Sequence, residues 1–119
     1  MTSMEKASLF EERLMNFAIS IIGLTKRLPK KPENDIISNQ IIRSATSIGA
    51  NYTEANNAAS KLDFRNKIYI SKKEAAETRY WLKMFASVNQ TTNVDKELQE
   101  VTEIVLILQA IISSMRSPK

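Results

Sequence analysis

The 119-residue chain contains no cysteine and no histidine. Those absences remove the disulfide framework, the thiol nucleophile, the commonest metal ligand and the commonest general base. A cysteine-free chain suits a reducing compartment. Glycine and proline are scarce, at two and three residues, well below their ordinary share. Sheets need many tight turns built from these residues, so the scarcity favours a few long helices with short connections. No apolar run reaches the roughly 18 to 20 residues of a membrane span. The opening "MTSMEKASLFEERLMNF" sets acids among its apolar residues, which argues against a signal peptide, and a cytoplasmic protein is expected. Neither a glycine-rich phosphate loop nor a serine with a base partner is found.

What is present is 43% apolar and 25% charged, ordinary for one globular domain spanning residues 1–119. Apolar residues recur at steps of three and four, which predicts four helices over about 6–28, 35–59, 61–88 and 94–115. Pro29 and Pro32 break the first from the second, with Asn34 or Asp35 as the expected cap. Ser60 is the expected cap of the third helix, and Thr92, Asn93 or Asp95 that of the fourth. Such elements predict an all-α fold, an antiparallel up-down-up-down four-helix bundle. Within the second helix Ser44, Ala45, Gly49, Ala50, Ala55 and Ala58 form a strip of low volume. A helical glycine costs about 1 kcal/mol relative to alanine, so Gly49 suggests close approach by another helix. The fourth helix, with "IVLILQAII", is apolar over more than one face, which points to a subunit interface.

Several polar residues lie at or near the apolar stripes: Arg43, Asn51, Glu54, Lys67, Glu74 and Glu77. Unpaired burial of a charge costs several kcal/mol, so these are expected to pair in a structural network that fixes helix register. The competing reading makes Glu54, Glu74 and Glu77 a carboxylate cluster for a di-metal site or for acid–base work. Di-iron bundles use Glu-x-x-His pairs, and a chain without histidine has none. No metal, no cofactor and no enzymatic activity are expected.

The net charge is +4 with a pI near 9.4, and the cations are unevenly spread. Between residues 61 and 83 there are seven (Lys61, Arg65, Lys67, Lys72, Lys73, Arg79 and Lys83) against Asp63, Glu74 and Glu77. The stretch "KRLPKK" adds Lys26, Arg27, Lys30 and Lys31, whereas residues 95–103 are acidic. Spaced cations suffice to bind phosphates. The candidate nucleic-acid contacts are therefore Lys26, Arg27, Lys30, Lys31, Lys61, Arg65, Lys72, Lys73, Arg79 and Lys83. Tyr69, Tyr80 and Trp81 interleave with them and could stack on single-stranded bases, although Trp81 also fits the core. The alternatives are a solvated lysine-rich surface on a structural or protein-interaction module.

The stretch from Gln40 to Met84 carries a more specific pattern. Arg43, Ser44, Ser47, Ile48, Ala50, Asn51 and Glu54 are followed by Ser60, Asp63 and Phe64, then by Glu74, Glu77, Trp81 and Leu82. This resembles the family of four-helix bundle proteins encoded within intervening sequences of bacterial 23S ribosomal RNA genes. That family is sometimes labelled a ribosomal protein family and is similar to the accessory variability protein of diversity-generating retroelements. The resemblance implies a homo-oligomeric ring, pentameric, with a central pore. It also implies a basic surface for RNA or DNA and a nucleic-acid enzyme such as a reverse transcriptase as partner. No part in translation follows, because the ribosomal label reflects where some of the genes lie. A ring of five would raise +4 per chain to about +20, enough to steer an anion.

Overall fold

The computed structural model describes residues 1–116, and all the regular structure among them is helical: α1 (Ser3–Lys26), α2 (Pro32–Asn56), α3 (Lys61–Val88) and α4 (Asp95–Ser114). Each helix packs on its neighbours in sequence, and α1 packs on α4 to close the circuit around one core. The α2–α3 seam is the most extensive and the α1–α4 seam the least. The molecule is elongated, 51 × 25 × 22 Å.

Local chemistry sets the helix ends. The α1 helix starts earlier than its apolar periodicity suggests because Thr2 and Glu5 form a capping box. The Thr2 hydroxyl accepts the Glu5 N–H, and the Glu5 carboxylate accepts the Thr2 N–H. The start of α2 differs from expectation. Lys31 occupies the cap position without a side-chain bond, Pro32 begins the helix, and neither Asn34 nor Asp35 caps it. Proline suits this place because its missing N–H would be unpaired in the first turn anyway. Helix α2 also ends at Asn56, so Ala58 and Ala59 lie beyond it. Ser60 caps α3 by accepting the Asp63 N–H at 3.1 Å. None of Thr92, Asn93 and Asp95 caps α4, where Val94 holds the cap position without a side-chain bond and the Asn93 side chain accepts the Asp95 N–H just before the first turn.

The core runs in heptad-like steps: Phe10, Leu14, Phe17, Ile21 and Leu24 on α1, and Val101, Ile104, Leu108 and Ile112 on α4. On the two middle helices the core residues are large at the ends and small between. Ser44 and Ala45 of α2 and Ser71, Ala75 and Thr78 of α3 are all buried. Buried hydroxyls need partners. The Ser71 hydroxyl crosses the seam to donate to the Ile48 carbonyl at 2.8 Å, and the Thr78 and Ser44 hydroxyls are 2.7 Å apart. Gly49 turns toward α1 instead, where a Cβ would meet the Leu14 Cβ at 3.3 Å. Ala50, in the same small-residue strip, faces solvent.

The extra apolar width of α4 is mostly spent within the chain: Val105, Ile107 and Ile111 pack against the core, and Leu106 alone on α4 stands as an exposed large apolar residue. The outward apolar residues lie mainly on α1, as Met4, Leu9, Met15 and Ile19, and on α3, as Leu62, Tyr69, Tyr80 and Val88. No helix among the described residues is long and apolar enough to cross a membrane.

Candidate functional site

Helix α3 divides its charges by face. Its inner acids look toward α2, where Arg43 donates to Glu74 at 3.2 Å and to Glu77. Glu77 also accepts the Trp81 indole N–H at 3.0 Å, which leaves Trp81 half-buried on the flank of the core. Seven residues make two turns, so Lys67, Glu74 and Trp81 share the α2-facing edge. Lys67 bonds Glu54 at 2.8 Å, and that carboxylate holds the Lys67 ammonium above its ordinary pKa.

The six residues expected to form one polar network therefore form two separate pairings and an outlier. Arg43, Glu74 and Glu77 gather near the middle of the α2–α3 seam; Glu54 and Lys67 pair near its far end. Asn51 joins neither and donates to the Ser47 carbonyl within its own helix. The same split separates Glu54 from Glu74 and Glu77. Among the described residues no group of three or more acidic, histidine or cysteine side chains is placed to hold a metal.

Arg43→Ala should lower stability by about 1 to 2 kcal/mol, since Glu74 is nearly buried and would lose its partner. Thermal denaturation reads this directly, and an unchanged melting temperature would show that the cluster does not hold the seam.

The opposite edge of α3 is cationic. Arg65, Lys72 and Arg79 recur at seven-residue steps, and Lys72 donates to Gln109 of α4, which places this edge along the α3–α4 seam. Arg79 and Lys83 border a shallow cleft with Leu98, Gln99, Thr102 and Glu103, whose carboxylate is bonded to Arg13. Lys61 and Arg65 border another with Phe64 and Met115. Lys73 lies on the outward side, exposed. Among the described residues Lys67 is the one α3 cation in an ion pair; Lys61, Arg65, Lys72, Lys73, Arg79 and Lys83 have no carboxylate within 4.0 Å.

The other four candidate contacts do not join this edge. Lys26, Arg27, Lys30 and Lys31 sit at the α1–α2 connection, at the end of the bundle where Asn34 bonds Asn89 beyond α3. Arg27 lines a groove of about 800 Å³ between α1 and α4 with Asp95, Glu97 and Glu100, whose charges offset its own.

Two polar features escape sequence reasoning. Asn34 and Asn89 form a buried reciprocal amide pair at 3.0 and 2.8 Å. Arg13 of α1 grips Glu100 through two bonds, at 2.7 and 2.9 Å, and Glu103 at 2.8 Å on α4. The guanidinium holds the Glu103 carboxyl below the usual carboxylate range. Only the acidic character of residues 95–103 was visible beforehand.

The model of the family described as 23S rRNA-intervening sequence protein matches residues 9–113. No curated protein matches the chain. A crystal structure of a protein with unknown function from the S23 ribosomal protein family of Bacteroides thetaiotaomicron VPI-5482 is similar, with 39% identity and a TM-score of 0.78. The match covers 86% of this chain and 96% of that one. Sequence model and fold agree over nearly the whole bundle, and the chain belongs to the 23S rRNA-intervening sequence protein family.

Proposed function

We propose that this protein is a non-enzymatic, self-associating bundle that binds RNA or DNA through the cationic edge of α3, serving in the cytoplasm as an accessory to a nucleic-acid enzyme such as a reverse transcriptase. One observation carries the reading: among the described residues α3 keeps six cations without a carboxylate within 4.0 Å while Glu74 and Glu77 are drawn to its other edge by Arg43. A row of unpaired cations is what phosphates require.

The helix contacts fit an up-down-up-down order, because each helix packs on the next and the last on the first. Assembly into a ring of five is supported by a charge-poor outer surface. Between residues 36 and 53 of α2 Arg43 is the one charged residue, and the neighbouring α1 presents Met15 and Ile19. Depletion of charge marks the cores of protein interfaces. Native mass spectrometry would read five copies of the 13.5 kDa chain.

Titration with short RNA and DNA across salt concentrations tests the binding. Log affinity should fall linearly with log salt. The Arg65→Gln/Lys83→Gln chain should reduce that slope by about 1.5 to 2, and Lys30→Gln/Lys31→Gln should leave it unchanged. Absence of binding at low salt would overturn the reading and leave a protein-interaction module.

A further inference from the structure

The outward surface of α3 carries two large aromatic side chains that stand largely exposed. Tyr69 is 46% exposed and Tyr80 is 56% exposed. They are eleven residues apart, three helical turns, which sets them on one side of α3 about 16 Å from each other. Each has cations one turn away: Arg65, Lys72 and Lys73 around Tyr69, and Lys83 beside Tyr80. Glu77 also lies one turn from Tyr80, but Arg43 draws its carboxylate, like that of Glu74, toward α2. Tyr80 is further steadied by the Trp81 ring, which meets it edge-on with centroids 5.1 Å apart.

Burying large apolar rings is favourable, so an isolated exposed tyrosine needs no explanation but two in register with free cations make a patterned surface. We infer that Tyr69 and Tyr80 are stacking platforms for unpaired bases, so that the α3 surface takes single-stranded nucleic acid in preference to duplex. This rests on the phosphate-binding reading of α3 and deepens it. Cations alone do not distinguish a single strand from a duplex, since both present phosphates. Aromatic faces do, because in a duplex the bases are already stacked on each other and offer no free face. The phosphates would follow Arg65, Lys72, Arg79 and Lys83 along the α4-facing edge while bases turn outward onto the two rings. Stacking is tolerant of sequence, since every base has a π-face.

The test is fluorescence anisotropy with a labelled unstructured oligonucleotide and its duplex at one salt concentration. The wild-type chain is compared with Tyr69→Ala, Tyr80→Ala and the two phenylalanine variants. Both tyrosines are exposed, so the variants should keep the helical circular dichroism of the parent. The single strand is expected to bind at least tenfold tighter than the duplex. Each alanine change should weaken single-strand binding about 5- to 150-fold, with duplex binding unaltered, and phenylalanine should restore it. Equal affinity for both forms, or alanine variants that bind the single strand like wild type, would overturn the stacking inference while the cationic reading stands. Loss of all binding in the parent chain would bring down both.

Discussion

Asn34→Leu is expected to destabilise the fold by about 3 kcal/mol, a large share of the stability of a domain this size. In the native chain the two buried amides face each other. The Asn34 amide donates to Asn89 and to the Pro29 carbonyl at 2.9 Å, and the Asn89 amide donates to Asn34 and to the Phe85 carbonyl at 3.2 Å. Leucine removes one half of this arrangement and leaves Asn89, 6% exposed, with its carbonyl oxygen unpaired. A buried polar group without a partner costs about 1 to 3 kcal/mol, beyond the net value of the bonds lost. Replacing both residues should be less damaging than the two single losses added together, because no orphaned amide remains. Chemical denaturation of Asn34→Leu, Asn89→Leu and the double variant completes the cycle. Strict additivity would show that the amides do not act as a pair. The pair ties the α1–α2 connection and the head of α2 to the end of α3, so we expect it to specify register as well as add stability.

A comparable loss is expected from Gly49→Val. At Gly49 the helices α1 and α2 approach so closely that a Cβ would sit 3.3 Å from the Leu14 Cβ, with the Leu14 carbonyl carbon at 3.8 Å and the Met15 nitrogen at 4.0 Å. Two of those three atoms belong to the main chain and the third is bonded to it, so none can swing aside as a side-chain tip would. Alanine adds only the Cβ. The few tenths of an ångström it demands should roughly offset the ~1 kcal/mol gained in helix propensity, and Gly49→Ala should melt close to wild type. Valine adds two further carbons that must displace α1, and overpacking of this kind costs about 1 to 3 kcal/mol or more. Thermal melts of both variants decide the matter. A valine chain as stable as the alanine chain would mean that α1 shifts freely and that the close approach is incidental.

The all-helical fold was legible because the signals that specify it are local. Apolar residues recur every three to four positions, and scarce glycine and proline mark the breaks. Ser60 announced α3 by the ordinary chemistry of an N-cap. The start of α1 was legible too, in Thr2 and Glu5, but periodicity begins only near Leu9 because the first turns of α1 are mostly exposed. Asparagine illustrates what local reasoning misses. Asn34 stands where a cap belongs, and its actual partner is 55 residues away. The Arg13 clasp spans 87 and 90 residues. The division of α3 into a paired edge and a free edge was half legible. Seven-residue spacing groups the side chains, but only the placement of Arg43 reveals which edge is neutralised.

The uneven seams of the bundle bear on how the chain acquires its shape. Three of the four seams join helices consecutive in sequence, and closing them requires only short loops. The fourth, α1 against α4, brings the two ends of the chain together, yet it is the least extensive and is interrupted by the groove beside Gly23 and Arg27. The entropy of joining distant segments is met there by few contacts, foremost the grip of Arg13 on Glu100 and Glu103. Folding should therefore begin as an α2–α3 hairpin and finish with α1 and α4 meeting. In the folded state that same junction should be where the molecule breathes, swinging open before the α2–α3 hairpin is disturbed.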